Sequence, residues 1–113
     1  MAAYQFLQRT VRHQELLEGE AKKNLEREIP AALQKINIQK FRFVVHPSHV
    51  HIFFELPPHV SVVEFLISVK LTLAAAANVP WDEEHYLLPI AECTDDVVNA
   101  ILADAHRPVR MKA

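Results

Sequence analysis

The chain has 113 residues, 50% of them apolar and 23% charged, with a formal net charge of −2. This length supports one core and excludes separate substrate and cofactor lobes, and the apolar share excludes a disordered tail. No run reaches the roughly 18 apolar residues of a membrane span, the opening MAAYQFLQRT lacks a signal peptide's basic-then-apolar order, and a lone cysteine, Cys93, excludes an internal disulfide framework and suits the reducing cytoplasm.

Residues 4–11 (YQFLQRTV) are rich in aromatic and β-branched side chains, which predicts a strand. A helix is expected over 18–33, where Ala21, Leu25, Ile29 and Leu33 recur at helical spacing and Lys22 and Glu26 form an i,i+4 pair. Pro30 falls inside that pattern and predicts a kink or a restart. Residues 36–45 read as a strand, and His46-Pro47-Ser48 as a turn. Over 49–56, Val50, Ile52, Phe54 and Leu56 alternate with His49, His51, Phe53 and Glu55, so the even members face the core and the odd members the other side. The tight connection makes the two strands an antiparallel hairpin.

Pro57-Pro58 stops the second strand, and Ser61-Val62-Val63-Glu64 is a capping box that starts a helix running to about Ala77. That helix is apolar nearly all round, which calls for deep burial or a covering partner. Residues 79–84 read as an acidic loop, and 86–91 as a strand that Pro89 assigns to a sheet edge. Thr94 caps a last short helix with Asp95 and Asp96 in its first turn, and Val97, Val98, Ile101 and Leu102 as its apolar stripe. The order β-α-β-β-α-β-α is that of an α+β, ferredoxin-like split βαβ sandwich, an antiparallel sheet with helices packed on one face. The whole of 1–113 is one domain, with 107–113 as a basic tail.

The net charge of −2 weighs against a nucleic-acid partner until it is divided along the chain. Residues 1–45 hold eight basic and five acidic side chains; residues 46–106 hold Lys70 alone against nine acids; the tail adds Arg107, Arg110 and Lys112. A polyanion would meet the first 45 residues and the tail. Four of the seven histidines, His46, His49, His51 and His59, fall within 14 residues. His49 and His51, at i and i+2 on a strand, project from one face about 6.5–7 Å apart, close enough to share one divalent cation such as Mg²⁺ or Mn²⁺. Such an ion beside a phosphate would act as a Lewis acid in phosphoryl transfer. Two imidazoles need a third donor, for which Glu55, His46, His85 and His106 are the candidates.

The run VVHPSHVHIFFELPPHVSVVEFLISVK, with its His49-Val50-His51, Pro57-Pro58 and Ser-started helix, resembles the centre of the HUH-type single-tyrosine transposases of small insertion sequences, a group that includes the REP-associated transposases. Residues 4–20 are similar to that family's first strand, T-x-x-R stretch and first helix start, and residues 86–102 to its last strand and final helix. The resemblance implies cutting and rejoining of single-stranded DNA beside a hairpin, a divalent metal on His49 and His51, a homodimer, and a tyrosine nucleophile on the final helix. A DNA-binding reading then assigns phosphate contacts to Arg9, Arg12, Lys22, Lys23, Lys70 and Arg107.

The match breaks at the nucleophile. Laid on the family's final helix, residues 94–104 put Ile101 where the tyrosine should be, and Ala105 where a glutamine ligand follows. Isoleucine forms no phosphoester, so the family's reaction cannot run from that position. Tyr86 corresponds better to a structural aromatic of the last strand. Two readings follow. Either the chain is a diverged transposase that keeps the fold and DNA binding without strand cleavage, or the last helix is misaligned and a tyrosine or His106 does the chemistry. A metal-dependent single-strand nuclease using water, and a non-enzymatic dimeric interaction module, are the alternatives from other classes.

Overall fold

The computed structural model describes residues 2–105. Strands β1 (Ala2–Thr10), β2 (Phe41–His46), β3 (His49–Leu56) and β4 (Trp81–Ile90) alternate with helices α1 (Glu20–Lys35), α2 (Val62–Ala76) and α3 (Asp95–Ala105), and a 3₁₀ turn spans Val11–His13. The sheet order is β2-β3-β1-β4 with every neighbouring pair antiparallel, the arrangement expected of a ferredoxin-like sandwich. Among the described residues no helix is long and apolar enough to cross a membrane.

β3 carries the design of the core. Val50, Ile52 and Phe54 are fully buried on one face, packed with Phe6 of β1 beneath Leu25, Ile29 and Leu33 of α1 and Phe65, Val69 and Leu73 of α2. Phe65 anchors that layer: it stacks on Phe54 at 3.9 Å between centroids and meets Phe6 edge-on at 5.6 Å. Aromatic pairs in such geometries contribute about 0.5–1.5 kcal/mol beyond their burial.

The helix ends follow local chemistry. Ser61 Oγ accepts from the Glu64 N–H at 3.0 Å while the Ser61 N–H donates to Glu64 Oε1 at 3.2 Å, so the capping box that starts α2 is formed in full. α1 ends differently: Asn37 adopts φ 67°, Ile38 N–H reaches back to Leu33 O at 2.9 Å and Asn37 N–H to Gln34 O at 3.0 Å. This is a Schellman ending, with Ile38 and Leu33 both buried as its apolar contact. It moves the start of β2 from the expected residue 36 to Phe41. α1 also runs through Pro30 as one helix, without the expected restart; tertiary burial of Ile29 and Leu33 on either side outweighs the lost backbone bond.

Two further expectations are corrected. Residues 79–84 are not an acidic loop throughout, because β4 already begins at Trp81 and its charges line an exposed sheet edge, where they deter further strand pairing. The helices do not all share one face. α1 and α2 do, but α3 lies on the opposite face, where Val98, Ile101 and Leu102 pack with Ala3, Phe53, Ile90 and Cys93. The odd members of β3 cause this: Phe53 projects away from the main core, and burying it fully requires a second cover.

Candidate nucleic-acid interface

The face under α3 is only half covered, and the candidate site lies in the remainder. Strand register puts Arg9 opposite His49, Leu7 opposite His51 and Gln5 opposite Phe53, while on its other side Leu7 pairs with Tyr86 and Gln5 with Leu88. All of these side chains therefore leave the sheet on one side. Between them and α3 lies a cavity of about 600 Å³, walled by Gln5, Arg9, His51, Tyr86 and Leu88 from the sheet and by Ile101 from the helix. The position that the resemblance gives to the nucleophile thus does face His51 across a cavity, and it carries an isoleucine.

Arg9 is placed by a break in the ladder. The β1–β4 register shifts between Gln8 and Thr10, and the buried Gln8 side chain fills the gap by donating to the Asp82 and Glu84 carbonyls at 2.6 and 3.0 Å. Bulges of this kind re-aim side chains. Here Arg9 Nη2 donates to Tyr86 Oη at 2.6 Å, its guanidinium lies 4.9 Å from the Tyr86 ring centroid, and Nη1 reaches His13 Nε2 at 3.3 Å. Beyond Thr10 the backbone turns through two consecutive left-handed residues, Arg12 (φ 57°) and His13 (φ 56°), which leaves both side chains exposed.

The histidines separate into two groups. His46 and His49 pair across the β2–β3 turn with rings stacked at 4.4 Å, and His49 Nδ1 lies 3.4 Å from Ser48 Oγ. His51 is buried, stacks on Phe53 at 4.2 Å and has Nε2 at 2.9 Å from Gln5 Oε1. That nitrogen is engaged by the Gln5 side-chain amide. Of the proposed third donors, His46 lies beside His49, and the others do not gather round the pair. Glu55 is beyond Phe53 on β3 and paired with Lys40 at 3.3 Å; His85 lies on the opposite face against Phe6; His106 is outside the described residues. Among the described residues no three His, Cys, Asp or Glu side chains are arranged to hold one ion. Among the described residues the donor set does not fit a three-ligand divalent site.

Four of the assigned phosphate contacts lie toward one end of the sandwich. Arg9 and Arg12 lie at the end of β1, and Lys22 and Lys23 are exposed in the first turns of α1. The approach to α1 is tied to the same end of the sheet, with Leu17 N–H bonded to Pro47 O and Thr10 N–H to Ser48 O, both at 2.9 Å. Lys70 is elsewhere, on α2 beside Gln8, Trp81 and Asp82 under the other sheet face. Arg107 lies outside the described residues. The residue that sequence reasoning undervalued is Tyr86, read as a structural aromatic and found at the cavity mouth, 43% exposed. Its alternation with Leu88 was the available signal.

A family profile described as "Transposase IS200 like" matches residues 1–87. Among solved structures, a candidate transposase from Deinococcus radiodurans R1 superposes with a TM-score of 0.69 at 15% identity, over 94% of this chain and 92% of that one. A REP-associated tyrosine transposase bound to a REP hairpin superposes with a TM-score of 0.67 at 18% identity, over 97% of this chain and 68% of that one. Among curated proteins no sequence matches. With the profile covering β1 through most of β4, and so both histidine strands and the bulge that sets Arg9, the chain belongs to the IS200-like transposase family.

Proposed function

We propose that this chain is a DNA-binding member of the transposase family that engages hairpin or single-stranded DNA and does not cleave it by the family's tyrosine step. The observation that carries the reading is Ile101 in the cavity wall across from His51, an unreactive side chain at the position where the resemblance expects a phenol. The solved relative bound to a REP hairpin supports the choice of DNA. The concentration of Arg9, Arg12, Lys22 and Lys23 toward one end of the sandwich supports a phosphate-tracking contact. In this reading the cavity side chains bind and orient, and the one phenol among them, Tyr86, accepts from Arg9 Nη2.

A homodimer is the second part of the proposal. α2 buries Phe65, Val69 and Leu73 but leaves Val63, Ile67 and Leu71 exposed at 62%, 56% and 68%, one apolar stripe at i, i+4, i+8. A second copy would cover it.

The test is a labelled hairpin carrying a single-stranded flank, incubated with the protein and Mn²⁺ or Mg²⁺ and resolved on native and denaturing gels. Retarded DNA that stays intact and free of covalent protein is the expected result. Nicking by the wild type that disappears in His49→Ala would replace this reading with the metal-dependent nuclease. Failure to bind hairpin or single-stranded DNA at low salt would overturn it altogether.

A further inference from the structure

We infer that Gln8 is a positioning residue for Arg9: by clamping the acidic bulge of β4, it keeps Glu84 from neutralising the guanidinium that meets DNA phosphate. This rests on the DNA-binding reading and deepens it by naming what keeps that cation available.

The strand register shows what the clamp prevents. Leu7 pairs with Tyr86 and Gln8 with His85, so an unbroken ladder would set Arg9 opposite Glu84. Directly opposed side chains stand about 4.5–5.5 Å apart at Cβ, where opposite charges attract. A carboxylate held there would bind the guanidinium and repel an approaching phosphate. The ladder instead resumes at Thr10 and Trp81, which leaves Arg9 alone against three acids, Asp82, Glu83 and Glu84. Among the described residues none of the three forms an ion pair with Arg9. Arg9 turns to its diagonal neighbour, with Nη2 on Tyr86 Oη and Nη1 toward His13 Nε2. Neither partner brings negative charge, so the guanidinium keeps its attraction for phosphate.

Gln8 holds the bulge from the other face of the sheet. Its side chain is buried, and its amide gives one N–H to Asp82 O and one to Glu84 O, the two ends of the acid triplet. The triplet also closes on itself, because Asp82 Oδ1 accepts from Glu84 N–H at 3.2 Å. With both donors on backbone carbonyls and no exposed surface, Gln8 reaches a ligand only through Arg9.

The experiment is a double-mutant cycle of Gln8→Met and Glu84→Gln, read by fluorescence anisotropy of a labelled hairpin at several salt concentrations. Gln8→Met keeps the length and removes the donors. It should weaken binding about ten-fold, the loss of roughly one charge-assisted bond, and flatten the salt slope by about one. In the Glu84→Gln background the same change should have no effect on either measure. Deleting Asp82 and Glu83, neither of which is buried, makes the ladder continuous. Lost negative charge alone predicts tighter binding by that variant, whereas Arg9 set opposite Glu84 predicts weaker binding. The deletion carries the comparison should Gln8→Met fail to fold, as read by urea unfolding. Unchanged binding by a folded Gln8→Met would overturn the positioning role and leave the DNA-binding reading standing. A loss that persists in the Glu84→Gln background, or tighter binding by the deletion variant, would overturn it in the same way. Absence of hairpin binding by wild type would overturn both readings.

Discussion

Arg42 at the start of β2 donates through Nε to Asp95 Oδ1 at 2.8 Å, linking the sheet to the first turn of the helix that carries Ile101. The carboxylate raises the arginine pKa through this hydrogen bond and its charge. The pair is nevertheless exposed on both sides, and exposed pairs contribute little.

What holds α3 in place is the apolar contact of Val98, Ile101 and Leu102 with Phe53. Asp95→Ala should therefore leave the urea unfolding midpoint nearly unchanged, whereas Phe53→Ala should lower stability by about 3–5 kcal/mol. Equal losses in the two variants would mean that the ion pair, not the apolar seam, docks the helix.

His85, half-buried against Phe6, has its pKa lowered first by burial and then by the nearby Lys70 ammonium. The unfolded chain then binds the proton more readily than the folded one. The stability this group supplies is present above the ordinary histidine pKa near 6.5 and is lost as pH falls through that value toward the lower folded one. Urea denaturation at pH 7.5 and 5.5 should show this loss, and His85→Phe should reduce it. In Lys70→Met the His85 resonance should titrate at higher pH than in wild type, as read by NMR. A His85 titration unmoved by Lys70→Met would contradict the charge contribution.

Cys93 is fully buried between α3 and the sheet, and burial pushes its thiol pKa up from the ordinary 9.0. A raised value keeps the thiol protonated and unreactive. Iodoacetamide at pH 8 should modify it only in denaturant, and rapid modification of the native protein would contradict the packing of α3. The linked stability is complete below the thiol's unfolded pKa and is lost as pH rises through the folded one.

Much of this fold is legible in local chemistry. β3, the Pro47-Ser48 turn, the Ser61 cap and the edge position of the Pro89 strand each follow from a few adjacent residues. The first half of β4 was not legible, because Asp82, Glu83 and Glu84 suit a loop as well as they suit an exposed edge. Nor was the position of α3: its stripe announces a buried face, but only Phe53, pointing away from the main core, decides which face of the sheet it covers. For the site, the shared side of His49 and His51 follows from strand alternation alone. The Gln5 bond to His51 and the Arg9–Tyr86 pair depend on register between strands over 40 residues apart in sequence, which spacing within one strand does not encode.

The proposed tracking of DNA through the basic residues is tested most directly by fluorescence anisotropy of a labelled hairpin at several salt concentrations. With about four to six phosphate contacts, affinity should fall about 10²- to 10³-fold or more between 50 and 200 mM salt. Arg9→Ala and Lys22→Ala should each flatten the salt slope by about one. Absence of hairpin binding at 50 mM, or binding that ignores salt, would contradict the account.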